Sequence, residues 1–366
     1  MSSFIRFAVR PDNSEPQTPL LCHVVEAEII SRLMSSKLAL LITFLLVLAL
    51  TTPFAAQRGI GNPGVGIGAR GIDTSAAPAP VQPPSITDFD TVILTVNVTG
   101  PQNNAVAGIS RDRFQVLEDG VEQQINYFWE DSRPMTVGFI FDDSARMGIN
   151  DKNYVLKEAA QSFLKNKDPR DEFFVVRMGD LADVFQSFTT DVKDLPLTYG
   201  ALGETALYDA VYVGLSVIKE AANPRKLLVV ITSGGDRCCS LNNKKTTEDM
   251  LKSFAIKQNV EIYPLFVVDQ IEDAESEFVH RDAVVLSDLA SMTGGRMSNA
   301  QNSARNVEAL TAELARGLKT QYLVGFKSSR PEHDGKRRGV KVKVSSPDGA
   351  PKLSVWTKAG YYARKD

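Results

Sequence analysis

Cysteine and histidine are both scarce in this chain of 366 residues, three of each. Cys22 stands near the N-terminus and Cys238 and Cys239 are adjacent, so no framework of spaced disulfides can form. His23, His280 and His333 lie far apart, and none belongs to a pair with zinc-ligand spacing. Excess charge is also lacking. A formal net charge of −3 gives no basic field to attract nucleic acid or anionic lipid. There is no Gly-x-Ser-x-Gly elbow and no P-loop lysine, and no motif places a histidine as base beside Ser144. These absences weigh against an enzyme and against a nucleic-acid partner. The apolar run Leu38–Leu50, broken only by Thr43, would rise about 20 Å as a helix, short of the roughly 30 Å of a bilayer core.

What that run does resemble is an export signal. Arg32 and Lys37 precede it and Thr-Thr-Pro-Phe-Ala-Ala follows, which points to cleavage near Ala55 or Ala56 and to Met34 as the natural start. An uncleaved N-terminal anchor is the alternative. Residues 1–56 are therefore expected to be a signal region, with no transmembrane span in the mature chain and a secreted or periplasmic location. Residues 57–86 are rich in Gly, Ala and Pro. Their glycine-rich stretch lacks the preceding strand and following helix of a nucleotide loop and reads as a linker.

From residue 87 the pattern is β. Thr91–Val98 alternates, and Phe114–Ile125 reads as strand, Asp-Gly turn, strand. Residues 134–326 then alternate apolar runs such as Met135–Phe141 and Leu227–Thr232 with amphipathic stretches, which predicts a doubly wound, mainly parallel α/β sheet. Helices are expected near 154–163, 206–221, 248–257, 283–291 and 306–319. The tail returns to short β segments. Because 87–133 and 327–366 are each too small to bury a core, they are expected to pair into one β-sandwich-like module flanking the α/β domain.

In an open α/β sheet, ligands bind at the carboxyl ends of the strands. Three loops there carry polar residues: Asp142-Asp-Ser-Ala-Arg-Met147, Gly203-Glu-Thr-Ala-Leu-Tyr-Asp-Ala210 and Thr232-Ser-Gly-Gly-Asp236. With these loops the chain resembles the von Willebrand factor type A family, which binds a divalent cation through Asp-x-Ser-x-Ser, a distant Thr and a distant Asp. Asp142, Ser144 and Thr205 match. Arg146 stands at the second Ser and Ser233 at the distant Asp, so the metal-ion-dependent adhesion site is degenerate. Arg113–Gln123, Leu289–Arg296, Gln321–Phe326 and Ala359–Ala363 are similar to segments of a bacterial subgroup, the VWFA-related family first described in Acidobacteria.

The resemblance implies an adhesion-type protein. A protein or surface-polymer ligand would dock on a rim that includes Arg146, Ser233 and Asp236, with Mg2+ held by Asp142, Ser144 and Thr205. Two outcomes stay open. Arg146 and Asp142 sum to about zero charge, so Arg146 can fork onto Asp142 or Asp236 and replace the ion, leaving a structural scaffold with a vestigial site. Alternatively Arg146 swings out and Asp143 or Asp236 restores the missing charge. Simpler roles exist as well. Asp142 and Ser144 can cap the next helix or satisfy loop amides, Thr205 can be the N-cap of its own helix, and Asp209 suits that helix's first turn. Cys238 and Cys239 read as loop thiols, the Asn97 sequon as incidental, and Lys336-Arg337-Arg338 as a solvated turn.

Overall fold

A computed structural model describes residues 90–144, 152–165, 167–191, 203–236, 246–268, 277–301, 304–330, 332–346, 349 and 351–365. The signal region, the linker, Arg146, Cys238 and Cys239 lie outside them. Four strands come first: β1 (Thr91–Thr99), β2 (Phe114–Glu118), β3 (Val121–Gln123) and β4 (Ile125–Asp131). The α/β part follows as β5 (Met135–Asp142), α1 (Lys152–Leu164), β6 (Glu172–Met178), β7 (Ala182–Thr189), α2 (Leu207–Val217), β8 (Arg225–Thr232), α3 (Glu248–Lys257), β9 (Glu261–Val268), α4 (Glu277–Thr293), β10 (Ser298–Gln301) and α5 (Ala304–Leu318). Four strands close the chain: β11 (Gln321–Lys327), β12 (Arg337–Val344), β13 (Ser354–Trp356) and β14 (Gly360–Tyr362).

The central sheet has the order β10-β9-β8-β5-β6-β7, parallel except for the edge strand β7. Each inner strand is apolar on both sides because both faces are covered. Val137, Phe139 and Phe141 of β5 join Leu227, Val229 and Ile231 of β8 against α1 and α5. Ile140 of β5 joins Leu228 and Val230 of β8 against α2, α3 and α4. Gly138 is needed on that second face, since a Cβ there would meet the Phe174 ring at 2.2 Å and Leu228 at 2.6 Å. The doubly wound fold is therefore present. Its strand order turns back at β5, with β6 on one side and β8 on the other, so the carboxyl ends of β5 and β8 are where a doubly wound sheet opens its binding crevice.

The flanking module is also present, as two antiparallel sheets of order β13-β1-β11-β4 and β14-β12-β2-β3. Their inner faces share one core of Leu94, Val96, Phe114, Val116, Val324, Phe326, Val340 and Val342. At the β2–β3 hairpin, Asp119 (φ 45°) and Gly120 (φ 86°) both take the left-handed conformation that a two-residue turn requires. Three details differ from the sequence expectation. The sandwich takes in β11, so it starts at Gln321 rather than residue 327, because β11 pairs with β1 and β4. Residues 182–189, assigned no element from sequence, form β7, whose alternation is only half-buried. Arg338 is not solvated. It enters the sandwich from β12 to meet the buried Glu118 carboxylate at 3.4 Å.

A buried polar junction ties the sandwich to the amino end of the central sheet. Arg225, at the start of β8, bonds the carbonyls of Arg133 and Leu318 and the side chain of Gln321. Its Nε lies 3.7 Å from Asp131, which also pairs with Arg133 at 2.8 Å. Burial alone would raise Asp131, but the two guanidiniums hold it below the usual carboxylate range. Gln321 Nε2 donates to Glu261 (2.9 Å) and to the Tyr263 hydroxyl (3.3 Å), which also accepts from Asn97 (3.2 Å). Burial raises Glu261 and lowers the neighbouring Lys358.

Candidate functional site

Asp142 ends β5 fully buried, at the crevice described above. Its Oδ1 accepts from the Ser144 amide at 3.1 Å. Its Oδ2 accepts from the Thr232 hydroxyl at 2.7 Å and the Ser233 amide at 3.2 Å, so the first and third loops are joined through one carboxylate. Desolvation raises the Asp142 pKa, and the Ser144 and Thr232 hydroxyls and the two amides act the other way. The second loop is joined to the third by a parallel β-bridge between Thr205 and Asp236. Asp142, Ser144, Thr205, Ser233 and Asp236 therefore come together from three loops. Arg146, sixth residue expected there, is outside the described residues.

Two of the simpler roles can be checked. Asp142 does satisfy loop amides. Thr205 is not an N-cap: α2 has Ala206 at that position, with no side chain of its own capping it. A carboxylate from another loop reaches that helix end instead, with Asp236 Oδ1 lying 3.4 Å from the Tyr208 amide. Asp209 does fall in the first turn.

The hydroxyls are the unusual feature. Ser144, Thr205 and Ser233 are each at most 1% exposed, and none of their side-chain oxygens makes a hydrogen bond of normal geometry, although the Ser144 hydroxyl is close enough to Asp142 to favour its charged form. A buried polar atom left without a partner costs about 1–3 kcal/mol, so three at one crevice are a large local deficit. Hydroxyl and carboxylate oxygens are what Mg2+ takes. The donors around Asp142 therefore fit such an ion in kind, although they bring one carboxylate where the family motif brings two. Among the described residues no group of three or more His, Cys, Asp or Glu side chains is placed to hold a metal, so a cation here would rest on hydroxyls.

One functional residue gave no signal in the sequence. Asp282 of α4 is fully buried. Its Oδ2 accepts from the amides of Gly235 (2.9 Å) and Asp236 (2.6 Å), and its Oδ1 accepts from the Tyr208 hydroxyl (2.8 Å). Burial, then the Asp282 charge, push the Tyr208 pKa up. Gly234 (φ 75°) and Gly235 (φ 83°) let the third loop wrap around this carboxylate. In the sequence Asp282 stands just ahead of the helix expected near 283–291 and belongs to no motif.

No protein-family model matches the chain, and no curated protein is significantly similar to it. Among solved structures it is similar to the PilB minor pilin from Streptococcus sanguinis, at 9% identity and TM-score 0.39 over 52% of this chain and 62% of that one. It is also similar to proximal thread matrix protein 1 from the mussel byssus with a zinc-occupied MIDAS motif (14%, TM-score 0.42, 56% and 50%). A third is a von Willebrand factor type A protein from Catenulispora acidiphila (13%, TM-score 0.37, 76% and 74%). The chain spans only 62% and 50% of the first two. Likeness this distant adds nothing to the fold already described, and it brings no ligand or partner with it.

Proposed function

We propose that the chain is an exported, non-enzymatic binding protein of the VWFA-related kind. Its crevice takes a divalent cation, and through it an acidic group on a protein or surface polymer. The observation that carries this reading is the set of three buried hydroxyls without partners beside Asp142. A cation takes lone pairs from all three oxygens at once while it neutralises Asp142. Among the described residues, no helix is long and apolar enough to cross a membrane, His280 is exposed on α4, and His333 lies 3.2 Å from Asp90.

The test is a magnesium titration of the chain from Gln57 onward, followed by thermal unfolding, alongside capture from envelope extracts with and without chelator. A ligand that binds only the folded form at about one hundred times its Kd adds about 2.7 kcal/mol, so the melting temperature rises with magnesium. Partner capture is expected to be lost in chelator. An unchanged melting temperature at millimolar magnesium would instead leave the scaffold reading, with a metal-free site.

A further inference from the structure

Resting on the cation reading, we propose that Asp236, held in place by Asp282, supplies the second acidic side chain that the motif lacks at position 233. Ser233 brings only a neutral hydroxyl to the crevice, and Asp142 is the one carboxylate contributed by β5. Two acids stand near enough in sequence to replace the missing one, Asp143 and Asp236. Their tethers differ. The Asp143 amide donates to the Met178 carbonyl at 2.7 Å, at the end of β6, on the side of β5 away from β8. Asp236 is bridged directly to Thr205, the residue of the second loop with a buried hydroxyl and no partner. It is only 5% exposed, and its carboxylate lies at the amino end of α2, where the helix dipole favours negative charge.

Asp282 makes this placement specific. It takes the amides of two successive residues, Gly235 and Asp236, and holds the Tyr208 hydroxyl of α2 on its other oxygen. The third loop and the start of α2 are thus pinned to one fixed carboxylate. The acid is moved three places along the loop, from 233 to 236, and two left-handed glycines bring it back toward Thr205. Asp282 is a positioning residue in this arrangement. It is not a ligand.

The competing role for Asp236 is that of a cap supplied to α2 from another loop. Asp236→Asn separates the two, because Asn caps a helix about as well as Asp but carries no charge. The experiment is calorimetric titration with Mn2+ of the native chain, Asp236→Asn, Asp143→Asn and the double variant Ser233→Asp/Asp236→Asn, with each melting temperature measured in chelator. Expected is a loss of about tenfold or more in Mn2+ affinity for Asp236→Asn, since affinity for such ions follows ligand charge. Its melting temperature in chelator should fall by no more than about 4 °C, the loss of one charge at a helix end, Asp143→Asn should bind as the native chain does, and the double variant should recover affinity. Native affinity in Asp236→Asn would overturn the proposal while leaving the cation reading intact. So would a loss confined to Asp143→Asn, or one matched by a larger fall in melting temperature in chelator. A native chain that binds no Mn2+ would overturn both.

Discussion

At the amino end of the central sheet, Arg225, Asp131, Gln321, Glu261 and Tyr263 are buried or half-buried and all hydrogen-bonded or ion-paired. At the carboxyl end, Ser144, Thr205 and Ser233 are buried at least as deeply and have no partner. Away from the crevice, Thr357 is the other hydroxyl in that state among the described residues. Polar groups buried to fix how two modules meet are paired, because leaving one unpaired lowers stability with nothing in return. The crevice carries its deficit where strand order reverses and three loops meet. The contrast teaches that depth of burial alone does not tell the junction from the crevice. A cluster of hydroxyls left without hydrogen bonds does.

The comparison breaks first at the junction. Arg225→Met strips Asp131 of one of its two cationic partners and leaves Gln321 without its donor, and losing one side of a buried pair costs about 3–5 kcal/mol. Urea unfolding should show a loss of that size, and a loss under 1 kcal/mol would mean the junction is not structural. Next comes Asp282→Ala, which leaves two amides and the Tyr208 hydroxyl without an acceptor. On the order of 3 kcal/mol is expected from such orphaned donors, read by the same method. The crevice hydroxyls should behave in the opposite sense. Without divalent cations, Thr205→Val removes an unsatisfied atom and should leave stability unchanged or raise it by about 1 kcal/mol, while reducing the magnesium-induced rise in melting temperature. Destabilisation comparable to that of Asp282→Ala would show that Thr205 has a structural partner after all.

The smallest effect sharpens the electrostatic side of the contrast. Burial raises the Asp142 pKa, so the folded chain holds that proton more tightly than the unfolded chain does. The stability this contributes is complete at acidic pH, below the unfolded value, and is lost as pH rises through the folded one. In chelator, the stability of the native chain relative to Asp142→Asn should therefore fall as pH rises through the carboxylate range. Saturating magnesium should oppose that fall, since cation binding needs the carboxylate. A relative stability that grows with pH in chelator would point to an internal cation such as Arg146 beside Asp142.

Much of this was legible in the residues. The nearly continuous apolar run Met135–Phe141 required a strand covered on both faces, and the Asp119-Gly120 pair required a hairpin, because each depends on local chemistry alone. Asp142, Ser144 and Thr205 were readable because a spaced motif carries them. What could not be read depends on distant contacts. Thr205 followed by an apolar helix looks like a cap until Asp236 is found at that helix end. The half-buried edge strand β7 has no continuous apolar run to announce it. Arg338 sits among turn residues, and only the fold brings Glu118 to it. Asp282 is the clearest case: besides the adjacent Arg281, its partners lie 46, 47 and 74 residues away.

The crevice can be examined most directly by crystallography of the chain grown with Mn2+, using anomalous scattering to locate the metal. The account predicts one anomalous peak at about 2.0–2.3 Å from both Ser144 Oγ and Thr205 Oγ1, a separation typical of small divalent ions bound by oxygen. A guanidinium from Arg146 in that position, with no anomalous peak beside it, would contradict it.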